Sequence, residues 1–406
     1  MSKTPLERKY SNFIVTLLLL FPILINSVKI LGNLILLIFT ILGIYIAISE
    51  KKNPFNLSEL KLFSWLTTGY FLVMLLSILV ADGWNAEFHH LGRKLHFLLA
   101  PWIALAIFQI DMPLKNLLLS IKLGLIIIGV ITIIEALLLG NYQWVSGMIN
   151  SNVFGDIAVA MLFLSIVQIP CEITKERIIT FIAITAGISA IVLSSSRGSW
   201  LSFLILSVVY ISLIYKSSLK NNNKGKIFLV LFFSALIGFI STQTNVVERI
   251  KTATTGVEIW SSTGDTQSSA AQRLDMWASG LKAARNSPWF GYGYRNANTA
   301  VQEYTSQDIS YTHLHNEYIT NLVSAGIFGL LALLTLLFTP MVIFYQNLKG
   351  RDSCLSMMGT LLCVGYVTFG FTHIALGEEH MNAFYVLFMG FLLPKVIKIS
   401  KVNKLS

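Results

Sequence analysis

Apolar stretches about as long as a bilayer is thick recur all along this chain, and no other feature constrains its fold as strongly. A hydrocarbon core of about 30 Å is spanned by roughly 20 apolar helical residues, and about twelve segments qualify on that measure. They run near Phe13 to Val28, Leu31 to Ile48, Leu62 to Val80, Leu95 to Ile110, Leu117 to Leu139, Ile157 to Ile169, Ile178 to Leu193, Leu201 to Tyr215, Ile227 to Ser241, Tyr318 to Tyr345, Leu355 to Ile374 and Asn382 to Ile397. With 54% hydrophobic and 12% charged residues, a water-soluble globule is excluded. The expected class is an all-α integral membrane protein.

The amino terminus has a basic head and a greasy middle but no small-residue cleavage site, so it reads as an uncleaved first helix. Orientation follows from Lys and Arg. With both termini cytoplasmic, twenty of the thirty basic residues fall on the cytoplasmic side, while the short outer loops hold only Lys29, Arg93, Lys94 and Arg197. The other six lie in one long polar segment, residues 243–314, between the ninth and tenth spans. There Arg249, Lys251, Arg273, Lys282, Arg285 and Arg295 are matched by Glu248, Glu258, Asp265, Asp275, Glu303 and Asp308. The net charge of +10 is therefore topological, and no nucleic-acid partner is implied. Cys171, Cys354 and Cys363 fall at cytoplasmic edges or inside a helix, which leaves the outer face without a disulfide framework.

The chain reads as a single domain over residues 1–406, with the long outer loop inserted. Within the loop, Ser269 and Gln272 have the form of a capping box, and Leu274, Trp277, Leu281 and Ala284 follow at helical spacing. This predicts an amphipathic helix from Ala270 to Arg285 at the membrane surface, with Arg273 in its first turns and glycine turns in GYGYRN after it.

Two further places carry chemistry. Arg197, in SSSRGSWL, stands between two apolar helices joined by almost nothing. It reads either as an arginine snorkelling from a tight outer turn or as an anion ligand, since a guanidinium fork suits phosphate oxygens. His315 with Asn316 immediately precedes the tenth span. A His-x-His pair with His313 suggests a metal, and Glu378, Glu379 and His380 lie in another outer turn, but zinc sites need three or four ligands and no convincing set appears. A neutral imidazole as general base is the better chemical reading. Glu135, near the outer end of the fifth span, either pairs with Arg197 or stays protonated. Arg93 and Lys94 meet acidic lipid or core phosphates or merely mark a span boundary, and Tyr292 and Tyr294 either stack on sugars or anchor the interface.

Arg197 with Leu201 four positions on, and His315-Asn316 followed by nine residues and Gly326, resemble the paired motifs of bacterial O-antigen ligases. The wider superfamily includes O-antigen polymerases and protein O-oligosaccharyltransferases. QRLDMWASGLKAARNSPWFGYGYRN is similar to the family's loop pattern, which makes Arg273 its second arginine. The resemblance implies a multi-pass protein of the bacterial inner membrane, its active site facing the periplasm. It implies transfer of a glycan from a polyprenyl diphosphate carrier to the lipid A core oligosaccharide, in lipopolysaccharide biosynthesis. No cofactor is expected, because two arginines would replace the metal that soluble glycosyltransferases hold with a D-x-D pair, which the outer loops lack. In this reading Arg197 and Arg273 bind the diphosphate, His315 takes the acceptor proton for an inverting attack, and Asn316 orients a substrate group or the imidazole. The rivals are a polymerase, a protein O-oligosaccharyltransferase and a transporter of the same lipid-linked glycan; a transporter would show repeats and polar groups at mid-membrane depth.

Overall fold

The structure, a computed structural model, describes residues 5–28, 30–82, 88–108, 110–138, 140, 144–147, 149–168, 174–216, 244–305, 313–349 and 353–405. Its described elements are helical, in the order α1 (Pro5–Leu24), α2 (Leu31–Ser49), α3 (Lys61–Asp82), α4 (Phe88–Arg93), α5 (Leu95–Phe108), α6 (Leu114–Leu138), α7 (Ser151–Ser165), α8 (Thr174–Leu193), α9 (Arg197–Lys216), α10 (Thr244–Thr263), α11 (Ser269–Asn286), α12 (Gly293–Gln302), α13 (Glu317–Gln346), α14 (Ser353–Gly370), a 3-10 turn (Ala375–Gly377) and α15 (Glu379–Leu405).

Nine described helices are long and apolar enough to cross a membrane, and two shorter apolar ones, Ser11–Leu24 and Ser151–Ser165, pack among them. These correspond to the expected spans except the ninth, Ile227 to Ser241, which lies outside the described residues. The chain is a multi-pass membrane protein. Its outward apolar side chains, such as Ile41, Ile48, Ile178, Phe181 and Val208, would be an aggregation liability in water and are a lipid-facing surface here.

The centre of the bundle is formed by α7, α14 and α15. Every residue of α7 from Val153 to Ser165 is buried, and α14 packs against α7, α9 and α13 while α15 packs against α5. Helix α13 leans on both α3 and α14. Its start, the start of α9 and the end of α14 therefore meet at one end of the bundle, which is what builds the site.

The long loop folds onto that same end. Its helix is where the pattern predicts it, but the cap is one residue earlier: Ser268, in extended backbone, accepts a hydrogen bond from the Ala271 N–H. The buried face also differs, because Met276, Ser279, Gly280 and Ala283 point inward while Leu281 is exposed. A small separate core explains this, formed by Met276, Ala283 and Ala284 of α11, Ala297, Ala300 and Val301 of α12, and Leu314 and Val323 beside them. The partner surface is thus protein, and small residues are needed where α11 comes close.

Candidate functional site

Three chain segments converge at this end of the bundle, each through an unusual piece of backbone. The first is the Ser194–Arg197 turn. Ser195 has φ of 55°, and Ser194, Ser196 and Ser199 satisfy the turn: the Ser196 N–H donates to Ser194 Oγ (3.3 Å) and the Ser199 N–H to Ser196 Oγ (3.4 Å). Ser199 in turn donates to the buried Asp156 of α7 at 2.7 Å, which pins the first turn of α9 to the bundle centre. Arg197, the first residue of α9, keeps its side chain exposed.

The second segment brings His313, His315 and Asn316. His315 adopts a left-handed backbone, φ 47°, uncommon for a residue with a side chain and a form of strain that concentrates at functional sites. Its ring lies against that of His313, with centroids 4.0 Å apart. Asn316 caps α13: its side-chain oxygen accepts the Ile319 N–H at 3.0 Å, and its amide reaches the Phe371 carbonyl at 3.5 Å. The cap therefore ties the histidine segment to the turn after α14.

The third segment is α11 with Arg273, positioned by two docks. Trp277 Nε1 donates to the Leu314 carbonyl at 2.9 Å, next to His315. Further on, Pro288 to Tyr292 lies along α13 where that helix breaks at Gly326, φ 65° and ψ −161°. The Ile327 N–H donates to the Pro288 carbonyl (2.7 Å), the Tyr292 N–H to the Val323 carbonyl (2.9 Å), and Ser77 Oγ bonds both Phe290 O (2.9 Å) and Ser324 O (2.6 Å). A Cβ on Gly326 would collide with the Trp289 carbonyl and the Phe290 nitrogen. The spacing from His315 to Gly326 thus has a physical meaning: it sets where the arginine loop docks relative to the histidine.

The electrostatics of the cluster are one-sided. Burial and then Arg197 disfavour the charge on Arg273; burial and then Arg273 push His313 below the usual imidazole value. His315 is pushed down to about 4 by burial, His313 and Arg273, and His373 to about 3 by burial, His315, His313 and Arg273. Arginine nevertheless stays protonated. Basic groups that repel one another in a partly desolvated corner make a place where an anion is favoured. Among the described residues no group of three His, Cys, Asp or Glu is placed to hold a metal ion.

The remaining sequence-predicted residues stand elsewhere. Lys94 is not on the surface: it is 2% exposed, donates to Tyr70 Oη (2.8 Å) and the Leu376 carbonyl (3.1 Å), and its Nζ stands 4.0 Å from Glu317 Oε1. Tyr294, whose hydroxyl meets Met74 Sδ at 3.4 Å, holds its ring 5.6 Å from that ammonium and so belongs to the same internal network. Asn321 completes it, donating to Glu317 Oε1 at 2.7 Å and accepting from Tyr70 at 3.2 Å. Arg93 lies beside it, its carbonyl accepting from Asn382 at 2.8 Å. Glu135 accepts the backbone N–H groups of Ser146 and Gly147, at 3.2 and 2.8 Å, and so anchors the turn before α7. Tyr292 lines a cleft of about 450 Å³ with Asn286, Trp289, Phe290 and Asn296, its hydroxyl donating to the Ala283 carbonyl at 3.2 Å.

Sequence reasoning missed His373, because the apolar run was carried on to Ile374. The helix instead stops at Gly370, and Thr372 packs so closely on Gly198 that a Cβ at Gly198 would collide with its hydroxyl.

Residues 181–334 match the family described as O-antigen ligase. That stretch contains Arg197, Arg273, His315, Asn316 and Gly326, and excludes Arg93, Lys94, Glu135 and His373. An uncharacterized protein of Haemophilus influenzae is 25% identical over 402 residues, covering 94% of this chain and 98% of that protein. The ComP-specific O-oligosaccharyltransferase of Acinetobacter baylyi is 23% identical over 223 residues, 54% of this chain and 38% of that enzyme. The resemblance read from the motifs is thereby borne out, and these likenesses support glycan transfer of the O-antigen ligase kind.

Proposed function

We propose, from the match of residues 181–334 to the O-antigen ligase family, that this chain moves a glycan from a polyprenyl diphosphate carrier onto the lipid A core oligosaccharide at the periplasmic face of the inner membrane. The observation that carries the reading is the convergence, from three separate segments, of Arg197 and Arg273, which repel one another, with histidines that burial and Arg273 keep neutral. A diphosphate relieves that repulsion. Arg197 and Arg273 hold the diphosphate oxygens, which already activate the anomeric carbon as a leaving group. The acceptor hydroxyl oxygen attacks that carbon from the opposite side, so the configuration inverts. As the new C–O bond forms, the C–O bond to the diphosphate breaks and its electron pair leaves with the carrier. His315, neutral at pH 7, takes the hydroxyl proton. Asn316 sets the ring's position by capping α13. The reaction is metal-independent in this account.

A second reading has its own support: the Acinetobacter baylyi relative is a ComP-specific O-oligosaccharyltransferase. The donor chemistry is shared and the acceptor would be a protein hydroxyl.

The test is deletion in the native host, followed by expression of wild type, Arg197→Ala or His315→Ala and inspection of the lipopolysaccharide ladder. Ligation predicts loss of all capped core, accumulation of carrier-linked glycan, and rescue by wild type alone. Core carrying a single repeat indicates a polymerase; an unchanged ladder with a glycoprotein lost indicates protein glycosylation, and lost capped core with the carrier-linked glycan held on the cytoplasmic side a transport role. Sidedness is read separately: Leu281→Cys, at an exposed position of α11, should react with an impermeant maleimide added outside intact spheroplasts.

A further inference from the structure

Buried polar atoms without partners are rare and call for an explanation. Three of them occur together here: Nδ1 of His315 and both ring nitrogens of His373, all buried and without a hydrogen bond. His373 is 3% exposed, so bulk solvent does not reach it. Each such group is costly, and an apolar side chain of the same size would fill the space without that cost.

The two histidines belong to one cluster, because the turn that carries His373 is bonded to Asn316, the residue after His315. His315 is the foremost charge acting on His373, ahead of His313 and Arg273. The turn that carries His373 is clamped from both sides, by Thr372 against Gly198 of the arginine turn and by the Phe371 carbonyl accepting from Asn316. Phe371 also stacks on Tyr318, one turn along α13, at 4.8 Å. His373 is thus fixed to the same cap that positions His315.

A general base needs a third group to choose its tautomer and hold its ring. Among the described residues His315 Nδ1 has no carboxylate or carbonyl partner to do this. We propose that His373 is the positioning residue of His315, accepting the Nδ1–H of that imidazole on one of its own unpaired ring nitrogens, so that Nε2 is left free to take the acceptor proton. Catalytic hydrogen bonds often close only when substrate is bound, and this one would form in the substrate complex. The proton balance is simple. The acceptor hydroxyl gives its proton to Nε2 of His315, Nδ1 keeps its own and shares it with His373, and His373 gains none. A neutral imidazole in that position supports the imidazolium without competing for the proton.

The inference rests on His315 being the base of the proposed transfer, and its test separates the two. Full-length protein in nanodiscs is assayed with carrier-linked glycan and lipid A core extracted from the native host, using wild type, His315→Ala, His373→Leu, His373→Asn and His373→Gln. One hydrogen bond to a group that becomes charged corresponds to a loss of about tenfold or more in kcat. His373→Leu should lose that factor in kcat with KM unchanged and a thermal midpoint equal to or above wild type, because unpaired nitrogens are replaced by apolar surface. An amide oxygen accepts the same hydrogen bond, so Asn or Gln should restore kcat. Wild-type kcat in His373→Leu overturns the inference while leaving His315 in place if His315→Ala is dead. A parallel fall in kcat and thermal midpoint for all three variants overturns it in favour of a packing role. Full activity in His315→Ala removes the base and the inference with it.

Discussion

Replacing Gly326 by alanine should uncouple the arginine helix from the histidine without touching either. Its backbone, φ 65° and ψ −161°, lies in a region open to glycine almost alone, and the missing Cβ is what lets the Trp289 carbonyl and Phe290 nitrogen lie against α13. Holding an alanine there costs about 1–3 kcal/mol of strain. Relief by undocking sacrifices the Ile327–Pro288 and Tyr292–Val323 backbone bonds, worth about 0.5–1.5 kcal/mol each. The two bonds hold the loop in wild type and variant alike, so the docked state is penalised by the strain alone, about 2 kcal/mol at the middle of its range, which shifts its ratio to the undocked state roughly 30-fold. The spans do not depend on this contact, so insertion and yield should hold while transfer falls by an order of magnitude or more. The assay is glycan transfer in nanodiscs beside a thermal melt, with Gly69→Ala as control, since a methyl there meets nothing within 4 Å. Wild-type transfer in Gly326→Ala, with an unchanged melt, would refute the docking argument.

Other expectations follow from the same geometry. His315 must be neutral to act and sits at about 4 in the free protein, so kcat/KM should stay flat as pH falls from 7 to 5 and drop only near 4; an acid limb near 6.5 would show that the ring is not held as described. Lys94→Ala should destabilise by about 3–5 kcal/mol by stranding buried Glu317, while Lys94→Met with Glu317→Gln should recover most of the loss in a thermal melt. Activity lost at full stability in Lys94→Ala would instead return Lys94 to the substrate. Asp156→Ala should cost about 1–3 kcal/mol by orphaning the Ser199 hydroxyl, whereas Asp156→Asn, which still accepts it, should melt close to wild type.

The spans were legible because lipid imposes a length and a composition on each one, and Arg197, Arg273 and His315 stood out as polar residues placed against that background. What the sequence concealed depends on tertiary contact. Lys94 sits in an outer gap by sequence, yet the turn Ala375–Gly377 brings the Leu376 carbonyl over it and α13 brings Glu317, so a residue read as surface charge is internal. Leu281 fits a helical stripe, yet faces outward because α11 packs on α12 and on Leu314 rather than on a flat interface. His373 was hidden by an apolar run that does not reveal where a helix stops; Gly370, packed against Glu317 and Tyr318, ends it four residues before Ile374.

The charges that weaken His315 in the empty site are the ones a donor would neutralise. Burial first, and then His313 and Arg273, keep the imidazole from holding a proton, so a hydroxyl arriving alone meets a poor base. A diphosphate lodged on Arg197 and Arg273 offsets that repulsion and raises the affinity of His315 for a proton; by linkage, a protonated His315 binds the diphosphate more tightly. The coupling strengthens along the reaction, because negative charge grows on the leaving diphosphate as positive charge arrives on the ring. Base strength therefore develops where and when the leaving group does. In the proposed transfer, a pair of arginines set beside a neutral imidazole is thereby matched to the transition state more closely than to either substrate alone.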